Sequence, residues 1–123
     1  MIQPVSIRCF SSHTNVRCDN LSEDILNYHD LTFCISGTMY YEINGVECKL
    51  LEGDAIYFAP GDKRKRFAFG NLASYTSFNF FAENRVFPND YHFQKIFSRN
   101  LNKSIELYID SHKKHHNFQV LNH

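Results

Sequence analysis

At 123 residues the chain supports one domain, and a hydrophobic content of 43% supplies material for a core. Lys plus Arg and Asp plus Glu number 13 each, so the formal charge is zero. The segment therefore lacks the basic excess by which a domain grips phosphate backbones unaided. An aromatic share of 15%, all Phe and Tyr, suits half-buried pleated surfaces and predicts a mostly β protein.

No apolar run is long enough to span a membrane, and residues 1–10 hold no sustained apolar stretch of the secretory kind. Cys9, Cys18, Cys34 and Cys48 show no C-x-x-C spacing. These features predict a cytoplasmic protein with reduced, structural thiols.

Residues 5–10 alternate Val5, Ile7 and Cys9 with polar neighbours and predict a short strand. Residues 11–24 are polar and read as irregular, with a short strand near Val16. Residues 28–35 form a clearer strand, with Leu31, Phe33 and Ile35 on one face and Asp30, Thr32 and Cys34 on the other. Ser36-Gly37 closes it. Residues 38–43 and 46–51 flank Asn44-Gly45, whose tolerance of positive φ suits a type I′ hairpin turn. Glu52-Gly53-Asp54 turns the chain into an apolar strand at 55–59, and Pro60-Gly61 stops it. Two more strands, 63–69 and 74–81, are separated by Gly70-Asn71. Some eight short strands at regular spacing indicate a sandwich or small barrel.

The pattern changes after Phe81. Residues 84–90 contain Pro88 and read as a connecting loop. Residues 91–101 are ambiguous, although Phe93, Ile96 and Phe97 sit at helical spacing. Residues 104–115 predict a helix, with Ser104 as N-cap and a stripe of Ile105, Leu107, Tyr108 and His112. The expected division is a β-barrel over 1–83 and a helical segment over 84–123, the latter ending inside a larger protein.

Four segments carry a resemblance: His29-Asp30-Leu31 leading to Gly37, Tyr41-Glu42-Ile43-Asn44-Gly45, Leu51-Glu52-Gly53-Asp54, and Phe58-Ala59-Pro60-Gly61. Together they resemble the N-terminal effector-binding and dimerisation domain of AraC-type (arabinose-regulator family) transcription regulators. The likeness covers roughly residues 28–80, and 93–120 resemble the helices that follow. It implies a cupin-like double-stranded β-helix, a small jelly-roll barrel, followed by C-terminal α-helices. It also implies a homodimer paired through those helices, at Ile105, Leu107, Tyr108 and His112. DNA would be bound only through a C-terminal helix-turn-helix domain, and none follows in this sequence.

Metal-binding cupins place a His-x-His pair on one strand and a further His past the Pro-Gly turn. Here Asp30 and Thr32 occupy alternate strand positions, and Arg64 stands three residues beyond Gly61. An arginine keeps its proton and ligates no metal, so no metal or other cofactor is expected. The guanidinium fork suits a carboxylate, a phosphate or a pair of sugar hydroxyls instead. Asp30, Thr32, Tyr40, Arg64, Arg66 and Asn79 are accordingly the candidate lining of a small-molecule pocket; a structural Arg64 pair with Asp30 or Glu42 is the competing reading.

The run Lys63-Arg64-Lys65-Arg66 splits on a strand into two pairs facing opposite ways, so it builds no basic face. His112, His115 and His116 have a zinc-compatible spacing but no Cys or Glu to complete a site. The sequence thus reads as a ligand-sensing and dimerisation module of a regulator, not an enzyme, with residues 1–12 as a segment folding over the barrel mouth. The alternatives are a stand-alone small cupin enzyme acting on a sugar or metabolite, and a ligand-free barrel that only dimerises.

Overall fold

The computed structural model describes residues 5–88 and 90–96. Strand order defines the architecture. One sheet runs β1 (Ser6–Arg17), β8 (Leu72–Phe81), β3 (His29–Gly37), β6 (Ala55–Phe58) and β9 (His92–Phe93). The other runs β2 (Leu21–Ile25), β7 (Lys63–Phe67), β4 (Met39–Ile43) and β5 (Val46–Leu50). All pairings are antiparallel. The orders 1-8-3-6 and 2-7-4-5 are those of a double-sheet jelly roll, the architecture that cupins share. No helix among the described residues is long and apolar enough to cross a membrane.

Local chemistry explains the corners. Asn44 and Gly45 take φ of 52° and 83°, as a type I′ turn between β4 and β5 needs. The two Gly-Asp turns share one device. In each, the Asp N–H returns to the carbonyl three residues back, Leu51 at 2.9 Å and Ala59 at 3.0 Å. In each, the carboxylate also accepts that same residue's N–H, from Leu51 to Asp54 at 2.9 Å and from Ala59 to Asp62 at 2.8 Å. Gly37 packs so tightly on the Leu72 carbonyl that a Cβ there would collide with backbone.

The central strands of the five-stranded sheet carry apolar clusters on both faces. Its inner face joins the barrel core, where Cys34, Met39, Leu50, Ile56 and Phe58 are fully enclosed. Its outer face carries Tyr57, Phe78 and Phe80, flanked on the same face by Phe10, Leu31 and Phe33 and packed against Phe87 and Phe93. Much of the phenylalanine of the chain is therefore spent outside the barrel.

Three expectations change. Residues 11–24 are largely strand: β1 continues to Arg17 through a register shift near Asn15, and β2 pairs with β7. Residues 6–12 lie within β1 and pair with β8, so this stretch is not a free arm, and residues 1–4 lie outside the described residues. His92–Phe93 is extended and pairs with Ala55 and Ile56 instead of beginning a helix. The expected helix at 104–115, with Ile105, Leu107, Tyr108, His112, His115 and His116, lies outside the described residues.

The segment after β8 is fastened in two places. At the first, Val86 N–H donates to the Tyr57 hydroxyl at 3.0 Å, and that hydroxyl meets His29 Nδ1 at 2.6 Å. His29 Nε2 meets the Ala82 carbonyl at 3.1 Å, so a carbonyl acceptor assigns the proton to Nε2. The neutral ring satisfies every partner in this relay, and a proton on Nδ1 would leave the Tyr57 O–H without an acceptor. At the second, Asp54 accepts Lys95 N–H at 3.0 Å and contacts His92 at 3.3 Å. Burial alone raises the Asp54 carboxyl, but bonds from Leu51, Lys95 and His92 together hold it below its ordinary range.

Burial, reinforced by Arg85, lowers the His29 pKa from 6.5 against the pull of the Ala82 carbonyl. Between the lowered value and 6.5 the unfolded chain binds the extra proton, so stability rises with pH up to 6.5 and is lost on acidification. The difference in urea stability between the wild type and His29→Gln should shrink as pH falls from 7 to 5. A difference independent of pH would contradict the relay.

Candidate functional site

β3 places its alternate residues on opposite sides of the sheet. Asp30, Thr32 and Cys34 face the interior, with exposures of 4%, 1% and 0%. The register aligns Asp30 with Asn79 on one side and Phe58 on the other, and Thr32 with Ser77 and Ile56. From the facing sheet, Arg64 reaches across and donates from a terminal nitrogen to Asp30 Oδ2 at 3.0 Å. The Thr32 hydroxyl donates to Asp30 Oδ1 at 2.8 Å and lies 2.7 Å from the Ser77 hydroxyl.

A fully buried carboxylate is stable only if its oxygens are occupied. Burial, the largest influence, pushes the Asp30 carboxyl above its ordinary 3.8, and the Thr32 hydroxyl and Arg64 guanidinium oppose it. The group is not saturated. Arg64 Nε and Asn79 Oδ1 are buried with no partner in the protein, one a donor and one an acceptor. A hydroxyl both donates and accepts, so a hydroxyl-bearing molecule matches this pair chemically.

The polar row continues to a sheet edge. Register sets Cys9 beside Asn79 and Ser11 beside Ser77 on β1, the outermost strand. Cys9 is exposed, and β2, the end strand of the other sheet, is exposed along most of its length. The interior row thus ends at a solvent-exposed edge strand.

Arg66 shares the inward face of β7 but is held elsewhere. Its Nε donates to the Asp19 carbonyl at 2.9 Å, and its guanidinium lies 5.4 Å and 6.0 Å from the Tyr75 and Tyr41 ring centres. It ties the β1–β2 turn to the core. Tyr40 departs from the expected pocket altogether: it is on the outer face of the four-stranded sheet, while its neighbour Tyr41 is inside. Lys63 is exposed and Lys65 lies over the Phe67 ring, so the basic run divides between the two faces of β7.

Ser77 is the site residue that sequence reasoning passed over. It sits two positions before Asn79, hence on the same face of β8. Among the described residues, no three His, Cys, Asp or Glu side chains converge as a metal ion would require. All four cysteines are free thiols, and burial pushes Cys34 up to about 12 and Cys48 up to about 11, which makes both inert.

No protein-family model matches this chain, nor does any curated protein. Among solved structures it is similar to the EutQ protein of Clostridium difficile, at 20% identity and a TM-score of 0.41. That match covers 50% of this chain and 48% of the other, so the chain spans about half the length of that structure. A cupin protein from Bacteroides fragilis matches at 18% identity and a TM-score of 0.39, over 72% of this chain and 66% of the other. The jelly-roll assignment rests on the strand order given above, not on these partial likenesses.

Thr32→Val keeps the shape of the side chain but removes the donor to Asp30. It should cost about 1–3 kcal/mol. A raised folded-state pKa means that stability falls as pH rises from 3.8 through that value. In the variant this fall should extend to higher pH, as read from urea unfolding at a series of pH values. Unchanged stability and pH dependence would remove Thr32 from the network.

Proposed function

We propose that the barrel is the ligand-sensing and dimerisation domain of an AraC-type transcription regulator, and that it binds a small polar effector, a sugar or related metabolite. One observation carries this reading: an inward polar group built on Asp30, Arg64, Thr32, Ser77 and Asn79, with a donor and an acceptor left unpartnered. Buried polar atoms without partners are rare in proteins and call for an explanation, of which a missing ligand is one. On this reading the protein is not an enzyme and acts in the cytoplasm. It pairs as a homodimer through Ile105, Leu107, Tyr108 and His112, and reaches DNA only through a helix-turn-helix domain beyond this chain.

The mechanism needs no mobile N-terminal arm. Asp30 and His29 are consecutive on β3, one facing the effector site and the other holding Ala82 through its ring. An effector that draws Asp30 or Arg64 toward itself would displace β3 slightly and bias the attachment of residues 82–86. It shifts that equilibrium only by its difference in affinity for the two arrangements.

A ligand-free barrel is favoured by a different observation, namely that Met39, Tyr41, Phe58 and Tyr75 already fill much of the interior. Thermal unfolding against sugars and small hydroxy acids separates the two. An effector at about a hundred times its dissociation constant should add roughly 2.7 kcal/mol. The gain should vanish in Asn79→Ala and weaken in Arg64→Lys, which keeps the charge opposite Asp30. No stabilisation by any compound in the panel would favour the ligand-free barrel.

A further inference from the structure

The outer face of the four-stranded sheet holds a second constellation, independent of the barrel interior. On β4, β5 and β7 the residues pointing away from the barrel include Tyr40, Lys49 and Phe67, and register sets Tyr40 between the other two. Past the end of β7 the chain turns Phe69 over this row. Its ring meets Tyr40 edge-on at 4.9 Å and stacks on Phe67 at 6.0 Å. Phe69 is nevertheless 67% exposed, so these rings fill no core. They wall a groove of about 320 Å³ that Glu47 and Lys49 also line. That volume is in the range of about 300–1,000 Å³ usual for small-molecule sites.

The charges narrow the occupant. The Lys49 ammonium lies 5.8 Å from the Tyr40 ring centre and the Lys65 ammonium 5.0 Å from that of Phe67. The chain's own cations thus already lie over Tyr40 and Phe67, the two rings that flank Phe69. Two carboxylates, Glu42 and Glu47, balance the two ammonium groups across this face, so it favours neither net charge. What fits is a neutral molecule with a flat C–H face for the rings and hydroxyls for Glu47 and Lys49. We propose that this groove is a saccharide-binding site, taking a pyranose ring stacked on Phe69 and hydrogen-bonded by Glu47 and Lys49.

The test is a titration of the isotope-labelled protein with cellotriose, followed through its backbone amide resonances. The expected result is saturable shifts at Tyr40, Glu47, Lys49, Phe67 and Phe69. Phe69→Ala, a change at an exposed position, should weaken binding about tenfold. Glu47→Gln, which keeps every ring, should weaken it to a smaller degree, and Asn79→Ala in the barrel should leave it unchanged. Each of four results would overturn the site: no shifts up to the solubility limit of the sugar, or equal affinity in Phe69→Ala. So would shifts at Asp30, Thr32 and Asn79 in place of the groove, or shifts that follow protein concentration alone, which mark a second copy of the chain. The barrel reading fails on a different measurement, thermal unfolding, through no stabilisation by any compound or a gain that survives Asn79→Ala, so the two proposals fail separately.

Discussion

The ion pair between Asp30 and Arg64 joins the two sheets through a polar group in the barrel interior. Much of the remaining contact between the sheets is apolar packing, which tolerates small shifts because it has no direction. A buried carboxylate facing a guanidinium has direction, and either partner alone would be an uncompensated charge in a core. β3 and β7 must therefore keep their relative position for the pair to survive. The neighbours follow from that requirement. Thr32 occupies the second carboxylate oxygen, Ser77 meets Thr32, and Asn79 lies opposite Asp30 in the register.

β3 is also the strand that connects the interior to the rest of the chain. Its inner residues make the polar group, and its outer residues Leu31 and Phe33 pack into the second apolar cluster. His29, at its start, holds the Ala82 carbonyl while stacking 4.9 Å from Phe80. β3 can perform both tasks because its inner face packs into the barrel core and its outer face into the second cluster. A strand with one wet face would have no way to couple an interior site to a packed exterior one.

Much of the fold is legible in residues whose local chemistry leaves few choices. Asn44-Gly45 and the two Gly-Asp corners fix three turns, and those turns order β4 through β7. β2 left no such trace: Leu21–Ile25 is almost wholly exposed, and its place comes from pairing with β7 alone. The second half of β1 is hidden for a related reason, since Ser11 belongs to a polar interior row where an apolar alternation is normally sought. In the site, alternation correctly joined Asp30 with Thr32 and Arg64 with Arg66. It gave no means to choose between Tyr40 and Tyr41, two adjacent identical side chains of which one is inside and one out. Nor does spacing along β7 reveal that Arg66 turns to the Asp19 carbonyl, a partner set by the β1–β2 turn.

The directness of the link between the sheets is best measured by a double-mutant cycle on Asp30→Asn and Arg64→Met, using urea unfolding. The account predicts that each single change destabilises the protein and that the pair together costs much less than their sum. The coupling should stand clear of the ~0.5 kcal/mol within which independent sites add. Additive effects within that margin would mean that the two side chains do not depend on each other. The buried pair would then not be the constraint that positions β3 against β7.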